Sequence, residues 1–492
     1  MIVDAVSLTY ELFQSIGREV PTFDELREMV SGDQPTWDIY AKGATCCVNQ
    51  LERDGTKHNM MEYKATNMQE LSAFIAAIRP AFKSLLRTFI ERKPYSTGEP
   101  KIDELLEDTA HFMLYQESIM KVLSFLGLPM GETYGVIKAI SKKKLKGEKK
   151  EKLEAQLKEN WNKIFGNLDN FQKVWDIIND AGRYAFNAPH SLSMCGDSLY
   201  QAWFKAHYPS KFYEIAISHY QRKENKDKIS ALITEAATYF DYTKLPFRFR
   251  QDNRAVSVND KTKEITMCLY SIKGISKSAS DILFEYKDAK FSSFIDVIKT
   301  IPLDKTTYEA LIKLDYFTEF GKSAKLLAIY NLYRNWNGRK SIKKTSTEPF
   351  SIELLNQFCS KETASQYCFD DIESLLREYI KSIPNEDISQ KEKIAAQLDH
   401  LSYVQATGLE SDRRIGYVRA VYPCKRKADN KTWAYKVSVT FLGKGKDNDL
   451  TIYKARYDKC KLQKGDIFYT ESVSPKDYQG RRYWYLMDYK KI

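Results

Sequence analysis

Residues 186–212, FNAPHSLSMCGDSLYQAWFKAHYPSKF, decide how the first half of the chain is read. Asn187 is a good helix N-cap, Pro189 falls where a first turn tolerates proline, and Tyr208-Pro209 stops the run. The sequence therefore predicts one helix over about 189–207. Leu192, Cys195, Leu199, Trp203 and Ala206 recur at three- and four-residue spacing, so their face is expected in a core. Asn187 and His190 are left at the positively polarised helix start, which suits an anion such as phosphate.

Working outward, 492 residues with 43% hydrophobic content suffice for two to four domains with real cores. No run approaches the roughly 18 uncharged apolar residues of a membrane span, and the first residues, MIVDAVSLTYELF, carry acids where a leader would be basic. The expectation is a cytoplasmic protein with no membrane partner. Eight Cys without CxxC spacing and six scattered His offer no zinc site, and reduced thiols are expected.

The net charge of +11 is localised. Residues 411–492 hold 20 Lys and Arg against 9 Asp and Glu, so the preceding 410 residues balance. Such a local surplus points to a polyanionic partner, and nucleic acid is the commonest inside a cell.

Four zones follow from the changing period, giving a multidomain α+β chain. Residues 1–230 are mainly helical, 231–335 form a small mixed module, and 336–410 read as a helical connector that opens on the polar stretch NGRKSIKKTSTEP. From residue 411 the period becomes two. In WAYKVSVTF, Trp433, Tyr435, Val437, Val439 and Phe441 alternate with Ala434, Lys436, Ser438 and Thr440. The runs RIGYVRAVYPCKRK, WAYKVSVTF, LTIYKARYDKC, DIFYTESVS and RRYWYLMDYK give about five strands, separated by ADNKT, KGKDND, QKGD and PKDYQG. Five short strands rich in Lys, Arg, Tyr and Trp suit a β-barrel of the OB type, whose cations track a single strand while bases stack on exposed rings. Arg419, Lys425, Arg426, Arg481 and Arg482 are the candidate cations, with Trp433 and Trp484 the candidate platforms. Most aromatic residues here must still serve the core, because one face of each strand is buried.

Two further cues lie upstream. LYSIKGISKSASDIL, residues 269–283, has the order of a helix-hairpin-helix in which a glycine turn brings backbone N–H groups to a DNA phosphate. Lys273, Gly274, Ser276 and Lys277 are its candidate contacts, with Ser276 where a second glycine is usual; an ordinary packing turn accounts for the fragment equally well. KAISKKKLKGEKKEK carries eight Lys between 138 and 152, which alone reads as a solvated helix face.

Together these segments resemble the bacterial replicative DNA polymerase III alpha subunit family. The opening stretch is similar to a family segment that begins Phe-Asn-Lys-Ser-His and ends in Lys-Ala-His-Tyr-Pro. CCVNQLERDG, IAAIRPAF, FIERK, FMLYQESIMKV and AISKKK resemble further family motifs in the same order. The resemblance implies fingers over 1–230, a helix-hairpin-helix module near the duplex over 231–335, and an OB domain near the template over 411–492. It makes Arg79, Lys93, Lys138, Lys142, Lys143, Asn187 and His190 candidates for contacts to the deoxynucleoside triphosphate or the primer-template. Two departures bear on the affinity or the mode of nucleotide binding: Ile137-Lys138 stands where the family has an Arg-Arg pair, and Ala188-Pro189 replaces Lys-Ser.

The family's palm aspartates, which hold two Mg²⁺, have no counterpart before residue 50, where Asp4 is the only acid near the start. The resemblance therefore implies the carboxy-terminal part of a polymerase whose palm is on another polypeptide, with no catalytic residue and no cofactor of its own, and Mg²⁺ expected only beside that partner. The alternative is a non-enzymatic DNA-binding accessory protein built on the same scaffold. Residues 397–401, QLDHL, loosely resemble a sliding-clamp pentapeptide, although a helical setting favours a packing role.

Overall fold

The computed structural model describes residues 2–79, 82, 84–183, 186–401, 404, 408–409, 412–426, 430–442, 446–478 and 481–492. The chain is mixed α/β and divides into two compact units, Met1–Lys244 with Ser257–Ile265, and Leu245–Val256 with Thr266–Ile492. The boundary expected at 230 falls inside a helix, Lys226–Phe240, which packs on the Pro209–Arg222 helix of the first unit.

The first unit is organised around the Ala188–His207 helix. Its cap is the expected one, Asn187 accepting the His190 N–H at 3.1 Å. Its burial is not. Cys195, Leu199 and Trp203 are buried, but Leu192 is exposed and Ala206 half-buried, whereas Gln201–Lys205 are all buried. The helix is wrapped rather than striped, and polar side chains do the wrapping. Ser191 Oγ donates to the Ser72 carbonyl at 2.7 Å, Tyr40 and Ser198 share a hydrogen bond of 3.0 Å, and Gln201 Oε1 accepts from the Asn49 N–H at 2.7 Å.

Lys205 is fully buried. Its ammonium donates to the carbonyls of Ala44 at 2.8 Å and Cys46 at 2.6 Å and to Glu235 Oε1 at 2.5 Å. Glu235 also accepts from the Cys46 N–H and from the Tyr213 hydroxyl. Lys205, Glu235 and Tyr213 are buried and Cys46 is half-buried, so each bond that is made avoids a desolvation loss. A second core joins Ile137 and Ile140 of the Met130–Ser141 helix to Trp161 of Glu148–Phe165 and Trp175 of Phe171–Gly182.

In the second unit the polar stretch after 336 does more than connect. Ser341–Lys343, Lys361–Glu362 and Gln366–Cys368 pair antiparallel into a three-stranded sheet, too short for a period to show. Five longer strands follow: β1 Ile415–Lys425, β2 Thr432–Phe441, β3 Lys446–Tyr453, β4 Ile467–Tyr478 and β5 Arg481–Lys491. β1, β2 and β3 form an antiparallel meander, β4 and β5 a hairpin. β1 pairs with β4 and β3 runs parallel to β5, so the strands form a closed ring.

The expected third strand, LTIYKARYDKC, ends at Tyr453 and turns into the short helix Lys454–Tyr457. Val418, Val437, Val439, Leu450, Ile452, Phe468 and Leu486 fill the centre of the ring. Gly416 is required there, since a Cβ would sit 2.7 Å from the Phe468 ring. The Gln390–His400 helix closes one end, packing Ile394 and Leu398 against Ile415, Tyr417 and Ile467.

Removing one partner of a buried ion pair strands the other charge. Lys205→Met is therefore expected to cost about 3–5 kcal/mol in urea unfolding, and adding Glu235→Leu should recover most of that loss. A double variant no more stable than the single one would show that the pair is not the source of the penalty.

Candidate nucleic-acid interface

The candidate residues of the first unit separate into two places. At the start of the Ala188–His207 helix the Arg79 guanidinium lies 4.4 Å above the Phe186 ring, and the His190 ring packs on the same Phe186 at 5.1 Å. Arg79 also reaches Gln50 Oε1 at 3.4 Å; it makes no ion pair among the described residues, and its Nε is buried without a hydrogen-bond partner. Burial pulls this guanidinium below its usual range, a half-buried cation whose charge the surroundings do not cancel. Arg79 lines a cleft of about 430 Å³ with Phe82, Tyr95, Lys173, Asp176 and Asp180.

The helix start itself is already occupied by an anion. The Glu117 carboxylate accepts from Asn187 Nδ2 at 2.7 Å and from the Ala188 N–H at 3.0 Å. The dipole end that the sequence offers to phosphate is thus satisfied by a side chain of the protein, and Asn187 is spent on capping. His190 is exposed, and among the described residues its ring packs on Phe186.

Lys93 lies elsewhere, exposed and ion-paired with Glu91. Its neighbour Arg92 holds Glu70 through Nη1 and Nη2 at 2.8 and 2.9 Å, so the charges of FIERK are cancelled locally. Lys138, Lys142 and Lys143 lie at and beyond the end of the Met130–Ser141 helix, exposed and without ion pairs among the described residues. Ile137, where the resemblance has arginine, is a core residue.

In the second unit Gly274 takes φ +93°, a left-handed turn that only glycine adopts without strain. Ser276 caps the Lys277–Glu285 helix by accepting the Ala279 N–H at 3.1 Å. The N–H groups of Gly274, Lys277 and Ser278 have no acceptor among the described residues, and Lys273, Gly274, Ser276 and Lys277 are all exposed. The turn is pinned from behind: the Lys273 N–H donates to the His400 carbonyl at 3.0 Å, and His400 Nδ1 donates back to the Lys273 carbonyl at 2.9 Å.

Residues 397–401 take the packing role that their helical setting favours. Gln397, Leu398 and Leu401 are buried, and His400 holds the hairpin, so the segment is packing material rather than an extended docking motif.

On the five-stranded sheet Lys425 and Arg426 are exposed at the end of β1, and Arg419 is half-buried. Arg481 and Arg482 begin β5, but their side chains lie outside the described part. Trp484 is 42% and Tyr483 43% exposed, whereas Trp433 is half-buried near Tyr453. Sequence reasoning missed the group beside them: Tyr453 and Tyr485 stack at 5.2 Å, and Lys476 sits 5.2 and 5.0 Å from the two ring centroids while donating to the Tyr453 hydroxyl at 2.7 Å. The strand period alone could have placed Tyr453 and Tyr485 outward, opposite in parity to Ile452 and Leu486.

Residues 10–162 match the bacterial DNA polymerase III alpha subunit finger domain, and residues 245–327 match the helix-hairpin-helix motif. The chain is a relative of the bacterial DNA polymerase III alpha subunit. It is 28% identical to DNA polymerase III subunit alpha of Aquifex aeolicus (strain VF5) over 394 residues, 74% of this chain and 32% of that protein. With DNA polymerase III subunit alpha of Staphylococcus aureus (strain MRSA252) it shares 24% over 335 residues, 65% of this chain and 30% of that protein. The matched region spans about a third of the length of these relatives.

Asn187→Ala removes both the cap and the donor that holds Glu117, and should cost about 1 kcal/mol in urea unfolding. His190→Ala, which loses one exposed ring contact, should stay within about 0.5 kcal/mol of wild type. Equal losses in the two variants would make His190 a structural residue.

Proposed function

We propose that this chain supplies DNA binding and incoming-nucleotide binding to a DNA-directed DNA polymerase of the polymerase III alpha type, with the palm on another polypeptide. The observation that carries the DNA-binding part is the cationic and aromatic outer surface of the five-stranded ring. Tyr483 and Trp484 stand open to solvent, and Lys476 is held over the Tyr453–Tyr485 stack. The strand order, with the first three strands in a meander, a short helix before the fourth, and the third parallel to the fifth, supports an OB-type barrel. Rings of this kind offer sequence-tolerant stacking to bases, while cations follow the backbone. The hairpin at Lys273–Gly274, with Ser276 and Lys277, serves duplex DNA: its unpaired N–H groups meet a phosphate at the glycine turn.

Nucleotide binding is placed at Arg79 and His190, with Lys138, Lys142 and Lys143 contributing charge and Lys93 a peripheral one. A half-buried, unpaired guanidinium above a phenyl ring is suited to a phosphate group, for which its planar fork gives two bonds. The Mg²⁺-dependent step belongs in this reading to the palm partner, to which the resemblance gives the metal-binding aspartates. Asp4, the first acid of the chain, is ion-paired with Lys223.

Two observations favour the second reading, a non-enzymatic DNA-binding accessory protein. Ile137 is committed to the core, and Glu117 already fills the helix start. Adding a palm polypeptide separates the readings. Primer extension should appear only in the mixture, and Arg79→Ala should raise the apparent KM for nucleotide more than it lowers kcat. Extension at wild-type rates by both Arg79→Ala and His190→Ala at every nucleotide concentration would put the nucleotide elsewhere.

For the DNA surface, the full chain should bind single-stranded DNA with log K falling against log salt by about 0.7 per neutralised phosphate. Lys425→Ala with Arg426→Ala should lower both affinity and slope. Trp484→Ala should cost roughly 1–3 kcal/mol with the slope unchanged. No binding to any oligonucleotide at low salt would assign the surface to a protein partner.

A further inference from the structure

Of the eight cysteines only Cys46 and Cys47 are adjacent in the sequence. They lie in the loop between the Gln34–Lys42 and Asp54–Tyr63 helices, both thiols free, Cys46 half-buried and Cys47 buried. The loop is clamped around them. The Cys46 N–H donates to Glu235 Oε2 at 2.6 Å, and the Cys46 carbonyl accepts from Lys205 at 2.6 Å. Thr45 Oγ1 donates to the Leu51 carbonyl at 2.7 Å, and the Asn49 N–H to Gln201 Oε1 at 2.7 Å. Within this frame Cys47 takes φ +58°, a left-handed backbone that a non-glycine residue adopts only when its surroundings enforce it. We propose that Cys46 and Cys47 form a peroxide-responsive dithiol that closes reversibly to a vicinal disulfide. The proposal stands apart from nucleotide and DNA binding.

The two thiols are set up unequally. The Cys47 thiol lies within hydrogen-bonding reach of the Cys46 sulfur, and with the nearby Lys205 and Lys228 ammonium groups it pulls Cys46 below the usual thiol range, against burial and the Glu235 carboxylate. Burial first, and then the same contact, pushes the Cys47 thiol up. Cys46 is therefore the nucleophile and Cys47 the resolving thiol. The Cys46 thiolate attacks one oxygen of a hydroperoxide, the O–O bond breaks, and the departing oxygen takes up a proton as a sulfenic acid forms. The Cys47 thiol then attacks the sulfenic sulfur: the S–S bond forms, the S–O bond breaks, and the Cys47 proton leaves with the hydroxide as water. Two electrons pass from the sulfurs to the peroxide. Neighbouring Cα atoms across a trans peptide are about 3.8 Å apart, short of the roughly 4.4–6.8 Å of an unstrained bridge, so the bond is readily reduced again. Closing it must twist the 46–47 peptide, whose carbonyl is one of the three acceptors of the buried Lys205 ammonium. Oxidation thus weakens the satisfaction of a buried charge. Cys195 is the contrast: it is buried, donates to the Met68 carbonyl at 3.5 Å, and burial pushes its thiol up.

The test treats the reduced full chain with hydrogen peroxide, blocks the remaining thiols by alkylation and reads each cysteine by peptide mass spectrometry. The peptide that holds Cys46 and Cys47 should lose the mass of two hydrogens and regain it with dithiothreitol. It should react about tenfold faster, or more, than Cys359 and Cys424, which are half-buried like Cys46 but have no cysteine beside them in the sequence. Cys46→Ser should abolish the fast reaction, and Cys47→Ser should leave on Cys46 a sulfenic acid that dimedone traps. The oxidised chain should unfold at lower urea than the reduced one, a difference that Cys46→Ser should remove. Oxidation of Cys46 no faster than that of Cys359 and Cys424, or its passage to sulfinic acid with Cys47 still free, overturns the proposal on the wild-type chain alone, whether or not the variants fold. A fast disulfide that leaves the urea midpoint unchanged supports the dithiol and overturns its link to Lys205.

Discussion

The first unit depends on one buried charge. Lys205 gives up its hydration completely, and a buried ammonium is tolerable only when every proton finds an acceptor. It finds three, two of them carbonyls of the Ala44–Cys46 segment and the third Glu235. That arrangement fixes the loop leading to Gln50, and Gln50 is what Arg79 reaches across its cleft. The helix carrying Lys205 carries Asn187 and His190 at its other end. Position at the cleft is therefore set from a network at the far end of the same helix, through a rod that side-chain bonds hold along its whole length.

How much of this was legible in the sequence depends on what signalled it. The helix over 188–207 and its cap followed from local chemistry at Asn187 and Pro189, and β1, β2, β4 and β5 from period-two alternation. The third strand was read too long because KARYDK continues the polar-apolar alternation while its backbone coils into a helical turn. The three-stranded sheet after 336 has strands of two or three residues, which leave no period to find. The core of the Ala188–His207 helix was misjudged for a different reason. Ser191, Ser198 and Lys205, seven residues apart, form a buried polar row whose partners come from distant segments, and no periodicity of apolar residues reports it.

The candidate site was legible in type more than in arrangement. The helix start with Asn187 and His190 suggested an anion site and the family resemblance added Arg79; Arg79 and His190 do converge on Phe186. That Glu117 would fill the helix start needed the fold, because it lies 70 residues away in a segment whose own signal is helical. The same holds for the pinned hairpin, where Gly274 was marked by its residue type but His400 by nothing local.

The ring of strands has two unequal kinds of joint. Among the described residues β4 and β5 are joined over ten residue pairs, whereas β1 meets β4 over three and β3 meets β5 over two, Trp484 with Leu450 and Tyr485 with Thr451. Mechanically it is a meander and a hairpin sewn together at two short seams. Tyr453 on β3 and Tyr485 on β5 stack across the shorter seam, with Lys476 reaching over from β4. A strand of nucleic acid lying on those two rings would close a clasp over the weakest stitch of the domain, so occupancy of the surface and resistance of the ring to splaying are the same event.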